Sequence, residues 1–150
     1  MNLPHPPDCP YYLISRAALS ITSHLKKGFQ DEGAETIKPA YLGVLLALWD
    51  EDGIKANELG KRAGLEPSTM TGLLDRMEKD GLVKREPDPT DRRASRICLT
   101  RAGVDAKIFT TKILLHLLEK ILCTIPEKDI ETTKNVLRTI LLNCSKEDIK

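Results

Sequence analysis

KANELGKRAGLEPSTMTGLLDRMEKDGLVKREPDPTDRRASRICLT, residues 55–100, changes its apolar period partway along. Met70, Leu73, Leu74 and Met77 stand at i, i+3, i+4 and i+7, the spacing of one helix face, and predict a helix from about Pro67 to Asp80. Beyond Gly81 the period shortens to two. Ile97 and Leu99 alternate with Arg96 and Cys98, which predicts a half-buried strand over 94–99 with a partner at about 82–86. The intervening PDPTDRR cannot extend the ladder, because Pro87 and Pro89 lack N–H donors, so it projects as a loop. Upstream, a short helix over about 56–63 ends at Gly64, a residue suited to a left-handed C-terminal position. The stretch reads as helix, turn, helix and a two-stranded hairpin.

The second of these helices has an unusual polar side. Ser68, Thr69, Thr71, Gly72, Arg76 and Lys79 are small, hydroxylated or basic. A helix docked by its apolar face and carrying such groups outward can lie in a major groove about 12 Å wide. Net charge over the 150 residues is only +1, too small for a general polyanion binder. Between Lys84 and Arg101, however, six basic residues (Lys84, Arg85, Arg92, Arg93, Arg96, Arg101) face three acidic ones (Glu86, Asp88, Asp91), a local excess of +3. These features predict duplex DNA as the partner.

Around this module the chain reads as further helices. Residues 1–10, MNLPHPPDCP, form a proline-rich arm. A first helix is predicted from about Tyr11 to Gln30, with Ile14, Ala17, Ala18, Ile21, Leu25 and Phe29 along one stripe. Pro39 fits the first turn of a second, which is apolar nearly all round and stops at Asp50-Glu51-Asp52-Gly53. Thr100 is placed to cap a fifth helix reaching about Leu122, and Pro126 begins a sixth. ILLHLLEKIL, residues 113–122, holds seven aliphatic residues in ten, more than one chain of this size can cover. A homodimer built from helices 1, 5 and 6 would cover it. It would also set two recognition helices about 34–36 Å apart, one turn of B-DNA.

Composition excludes several classes. Hydrophobic residues make up 41% and charged ones 30%, as in a globular chain, while 4% aromatic content argues against a stacking platform for single strands. Cys9, Cys98, Cys123 and Cys144 form no CxxC pair, and His5, His24 and His116 lie far apart, so no metal site or other cofactor is expected. The absence of a secretory signal or an 18-residue apolar run predicts a cytoplasmic chain with reduced thiols and no membrane partner. No Ser/His/Asp order, glycine-rich phosphate cradle or HExxH is present, so no catalytic residue is nominated and no enzyme is expected.

Three segments in order resemble the MarR family of transcriptional regulators over roughly residues 10–147. They are KPAYLGVLLALW (38–49), LLDRMEKDGLVKR (73–85) and the wing signature DPTDRRASRICLTRAG (88–103). The resemblance implies a mostly α fold of about six helices with a small β-hairpin wing: a winged helix-turn-helix, dimeric. It implies an arm at 1–10 and one domain over 11–150, with dimerisation helices at 11–30 and 100–147 and a DNA-binding lobe at 38–99. It implies repression of nearby genes at a pseudo-palindromic operator, relieved by a small-molecule effector. Ser68, Thr69, Thr71 and Arg76 match positions that touch DNA in family members, and Gly72 lies among them. In the Asp91-Arg92-Arg93 triplet, Arg93 matches the arginine that enters the minor groove and Asp91 the carboxylate that holds it. Tyr12, Tyr41 and Trp49 surround the implied effector pocket.

Other readings of the same residues stay open. The Arg92-Arg93 loop reads alternatively as a solvated turn. Arg76 can pair with Asp80 at i+4, and Ser68 can satisfy free N–H groups at the helix start. CPYYLISR, residues 9–16, loosely resembles the neighbourhood of the reactive cysteine in OhrR-type peroxide sensors, which makes a thiol-responsive repressor sensing through Cys9 one alternative, with Tyr11, Tyr12 and Tyr41 as hydroxyl donors. The bland alternative is an unreactive thiol. Cys98, Cys123 and Cys144 read as small hydrophobes in packed elements. A winged-helix module binding another protein through the same surface is a further alternative.

Overall fold

The computed structural model describes residues 5–91 and 93–145. Six α-helices and three strands follow one another: α1 Pro10–Asp31, α2 Leu42–Asp50, β1 Ile54–Lys55, α3 Ala56–Ala63, α4 Pro67–Lys79, β2 Val83–Pro87, β3 Ser95–Leu99, α5 Arg101–Leu122 and α6 Glu127–Cys144. Single 3-10 turns at Pro6–Asp8 and Pro39–Tyr41 lead into α1 and α2. The chain divides into two units, residues 1–114 and 115–150.

In the first unit the core gathers around α2. Tyr41, Val44, Leu45 and Leu48 are buried there with Leu25 and Phe29 of α1, Leu59 of α3 and the apolar face of α4. The α4 face is the one the spacing predicts: Met70, Leu73, Leu74 and Met77 are all buried. Along α1 the expected stripe is covered only at its C-terminal end. Leu25 and Phe29 are buried and Ile21 is half-buried, whereas Ile14, Ala17 and Ala18 stay exposed.

Two glycines make the helix-turn-helix compact. Gly64 and Gly81 adopt φ of 66° and 76°, a left-handed conformation that costs a Cβ-bearing residue about 1 kcal/mol or more. Each terminates its helix through a paired closure. Leu65 N–H donates to Gly60 O and Gly64 N–H to Lys61 O, and likewise Leu82 N–H to Met77 O and Gly81 N–H to Glu78 O. Pro67 opens α4 in its first turn, where a missing N–H is harmless.

The sheet has three strands where the sequence predicts two. β3 lies between β1 and β2 and is antiparallel to both, with Ile97 opposite Ile54 on one side and Arg85 on the other. β1 is only two residues long, too short to show an alternation. Thr100 caps α5 as expected, accepting Gly103 N–H at 3.1 Å. Gly103 itself is a point of close approach, since a Cβ there would lie 2.1 Å from Leu82 O. Its carbonyl receives the indole N–H of Trp49 at 2.9 Å, so α2, the turn after α4 and the start of α5 meet at this residue.

In the second unit, α6 buries none of its residues. Val136, Leu137, Ile140, Leu141 and Leu142 are exposed. Among the described residues, no helix is long and apolar enough to cross a membrane, and no group of three or more His, Cys, Asp or Glu could hold a metal ion.

Candidate nucleic-acid interface

With its apolar face buried, α4 turns Ser68, Thr69, Thr71 and Arg76 to solvent and leaves Gly72 half-buried among them. Ser68 occupies the second helical position. The residue before the helix, Glu66, makes no side-chain capping bond, so the first-turn N–H groups face outward uncapped by it. A helix start of this kind attracts a phosphate. The Thr71 hydroxyl donates to Pro67 O at 3.0 Å.

Arg76 does not pair with Asp80. That carboxylate is taken from the other side, by Lys38 Nζ at 2.6 Å and by the Tyr41 hydroxyl at 2.7 Å. Lys38, then Tyr41, holds the Asp80 carboxyl below its ordinary pKa, while burial, reinforced by Asp80, raises the Tyr41 phenol. The cluster anchors the C-terminal end of α4 to the entry of α2. Among the described residues, Arg76 forms no ion pair.

The outward face also carries an acidic residue that the sequence reading passed over. Asp75 stands at i+7 from Ser68 and is exposed. An unpaired carboxylate there would repel phosphates. Arg85 of β2 removes that difficulty: its guanidinium lies 2.6 Å from Asp75 and also pairs with Glu78.

The local excess of +3 is therefore not a patch of six available cations. Arg85 is held by Asp75 and Glu78, Lys84 by Glu86, Arg96 by Asp88 and Arg101 by Asp105. Arg93 is exposed on the turn and forms no ion pair among the described residues. Arg92 lies outside the described residues.

The turn that carries Arg93 is closed by main-chain bonds, Asp88 N–H to Ala94 O at 3.0 Å and Ala94 N–H to Asp91 O at 2.9 Å. Asp91 differs in its contact from the expectation. Its Oδ1 accepts the backbone N–H of Arg93 at 3.0 Å and so holds the residue rather than the guanidinium. A second carboxylate, Asp88, sits inside the turn, buried, and was not singled out in the sequence. A proline-flanked Asp in a polar loop looks solvated. The available signal was Arg96, eight residues on, at the outward register of a strand.

Of the three aromatic residues expected around an effector, two have their polar atoms engaged within the fold. The Tyr41 hydroxyl is engaged by Lys38 and Asp80, and the Trp49 indole by Gly103. They stand at opposite ends of α2, about 12 Å apart along its axis, and Tyr12 lies exposed on α1. Tyr41 is likewise unavailable as a donor to Cys9, which precedes α1 and is half-buried. Cys98 is half-buried against Glu86, and Cys123 and Cys144 are exposed, so none of these three is packed as a core hydrophobe. Burial, and then the Glu86 charge, raises the Cys98 thiol pKa.

A helix-turn-helix followed by a sheet whose last two strands project a basic turn defines a winged helix-turn-helix protein. A profile of the MarR family matches residues 38–95. Over those residues the chain is similar to that family. It is 45% identical over 69 residues to the HTH-type transcriptional regulator TtmR of Methylorubrum extorquens, covering 46% of this chain and 35% of that protein. It is 32% identical over 96 residues to the regulator SarZ of Staphylococcus haemolyticus, covering 63% of this chain and 65% of that one. The chain thus spans about a third and just under two thirds of the lengths of these two relatives. Among solved structures, a MarR-family transcriptional regulator from Silicibacter pomeroyi superposes with a TM-score of 0.74 at 27% identity, over 97% of this chain and 96% of that one.

Proposed function

We propose that this protein is a homodimeric transcriptional regulator that binds a pseudo-palindromic duplex and represses transcription in the cytoplasm until a small-molecule ligand releases it. It carries out no catalysis in this reading. The observation that carries the proposal is the α4 face: four buried apolar residues fix the helix, and Ser68, Thr69, Thr71 and Arg76 are exposed on the other side with the half-buried Gly72 among them, the Ser68 and Thr69 hydroxyls free to donate. Hydroxyls and a first turn of uncapped N–H groups set register on phosphates, and Arg76 is long enough to reach a base edge. Arg93, exposed on the closed turn, suits a narrow A·T-rich minor groove, where negative potential is concentrated. Arg92 belongs to the same proposal by its place in the triplet, and Asp91 joins it by fixing the backbone of Arg93. The similarity to the MarR family over residues 38–95 supports this reading.

The test is a salt titration with a pseudo-palindromic duplex selected in vitro by the protein itself. Specific binding predicts a log–log slope of about −0.9 per phosphate neutralised. Arg93→Ala should lower affinity by at least about tenfold, the worth of one charge-assisted contact, while the protein stays dimeric. A variant that binds the selected duplex as wild type does would remove the wing from the interface. Failure to enrich any duplex at low ionic strength would remove the function.

A further inference from the structure

Asp88 is the one carboxylate among the described residues that is almost wholly enclosed, at 2% exposure, and it lies directly beneath the turn that carries Arg93. Its Oδ1 accepts three donors: the Thr90 N–H at 2.8 Å, the Thr90 hydroxyl at 2.6 Å and the Asp91 N–H at 2.9 Å. Its Oδ2 accepts Arg96 Nε at 2.7 Å and lies 3.7 Å from Lys55 Nζ. Arg96 extends further, to Gly53 O at 3.4 Å. From Asp88 the bonds run outward in sequence. Asp88 holds the N–H of Asp91, and Asp91 holds the N–H of Arg93.

We propose that Asp88 is the positioning residue of the wing: it closes the turn from within, so that Arg93 is presented at a fixed place, and through Arg96 and Lys55 it ties that place to β1 and the start of α3. The proposal rests on the reading of the wing as a DNA contact and adds the group that makes the contact specific. A buried carboxylate with this many donors is hard to displace, since opening the turn would leave a charge without partners. A turn already rigid spares the complex the entropy of ordering it, and the free-energy gain goes to the docked arginine. The depressed carboxyl pKa agrees with this geometry, with the Thr90 hydroxyl as its first cause and Arg96 as its second.

A double-mutant cycle tests it, using the duplex selected by the wild-type protein with its flanks made either A·T- or G·C-rich. Asp88→Asn keeps the shape and loses the charge. Thr90→Val removes one donor from an exposed side chain and serves where Asp88→Asn does not fold. Either variant is expected to lower affinity for the A·T-flanked duplex by about tenfold, one charge-assisted bond's worth, and to narrow its preference over the G·C-flanked one. In an Arg93→Ala background the same substitution should change affinity by less than about twofold. An equal loss with and without Arg93, or no loss, would overturn the positioning role while leaving the wing reading intact. No effect of Arg93→Ala alone would overturn the wing reading itself and this proposal with it.

Discussion

Arg85 Nη2 lies 2.6 Å from Asp75 Oδ1, joining the first long strand of the wing to the outward face of α4. The pair is exposed, and exposed pairs contribute only about 0–1 kcal/mol to folding. Its importance would be to the proposed interface, where it neutralises a carboxylate that would face phosphates. Arg85→Met should leave the melting temperature nearly unchanged and lower duplex affinity by more than about tenfold. Adding Asp75→Asn to that chain should recover most of the loss. Electrophoretic mobility shifts on the three proteins decide it, and a double variant no better than Arg85→Met would show that the carboxylate was never the problem.

Gly103 and Gly72 should respond oppositely to the same substitution. At Gly103 an added Cβ meets a backbone carbonyl, that of Leu82, at 2.1 Å, and the side chain of Leu99 at 3.0 Å. Backbone cannot swing aside, so Gly103→Ala should destabilise the fold by about 3 kcal/mol or more. At Gly72 the only neighbour is the far end of Arg76, at 4.0 Å. Inside a helix Gly→Ala adds roughly 0.5–1 kcal/mol of stability, yet the new methyl group stands between α4 and an approaching duplex. Urea denaturation and duplex affinity measured on both variants should therefore disagree in sign for Gly72→Ala alone.

How much of this was legible in the sequence depended on how local each feature is. The docking face of α4 was readable because Met70, Leu73, Leu74 and Met77 follow one helical period. The two turns were readable because Gly64 and Gly81 fall where a helix needs a left-handed end. β1 was not, since Ile54 and Lys55 become a strand only by pairing with Ile97 and Arg96, more than 40 positions away. The basic count misled for the same reason. Arg85 meets its carboxylates on α4, ten and seven residues back, and Arg96 meets Asp88 across a turn, so charges that add along the chain cancel in space. Asp80 reads as a helix partner of Arg76 until α2 brings Tyr41 and Lys38 against it. Long-range partners decide which of several plausible charges is available, and no local pattern encodes them.

Acid should loosen the fold through two carboxylates. Asp80, held by Lys38 and Tyr41, and Asp88, held by Thr90 and Arg96, both have folded pKa values below the ordinary one near 4. Between the depressed and ordinary values the unfolded chain binds more protons, so stability rises with pH there. Their contribution is present in full above about pH 4 and is lost as the pH falls below it. Thermal melts from pH 5 to pH 2 should show a steep decline for wild type and shallower ones for Asp80→Asn and Asp88→Asn. Identical slopes in all three proteins would mean that these groups are not what acid attacks.

The unit formed by residues 115–150 gives the sharpest test of the dimer. Within α6, Leu137, Ile140 and Leu141 lie along one face, and Leu141 is 69% exposed. Fully burying a leucine or isoleucine is worth about 1.5–3 kcal/mol, so a helix that leaves several of them in water either drives association or aggregates. The proposed partner, a second copy, would also give the proposed DNA-reading lobes a two-fold relation, as a palindromic site requires. Leu137→Glu combined with Leu141→Glu places two charges on that face without removing helix-forming residues. Sedimentation velocity should report a dimer for wild type and a protomer for this variant, and circular dichroism should retain most of the helix signal. Affinity for the selected duplex should fall by a hundredfold or more, on the order of the gain from linking two half-site contacts. A doubly charged variant that still sediments as a dimer would move the interface away from α6, and one that becomes a protomer yet binds the full site undiminished would separate dimerisation from recognition.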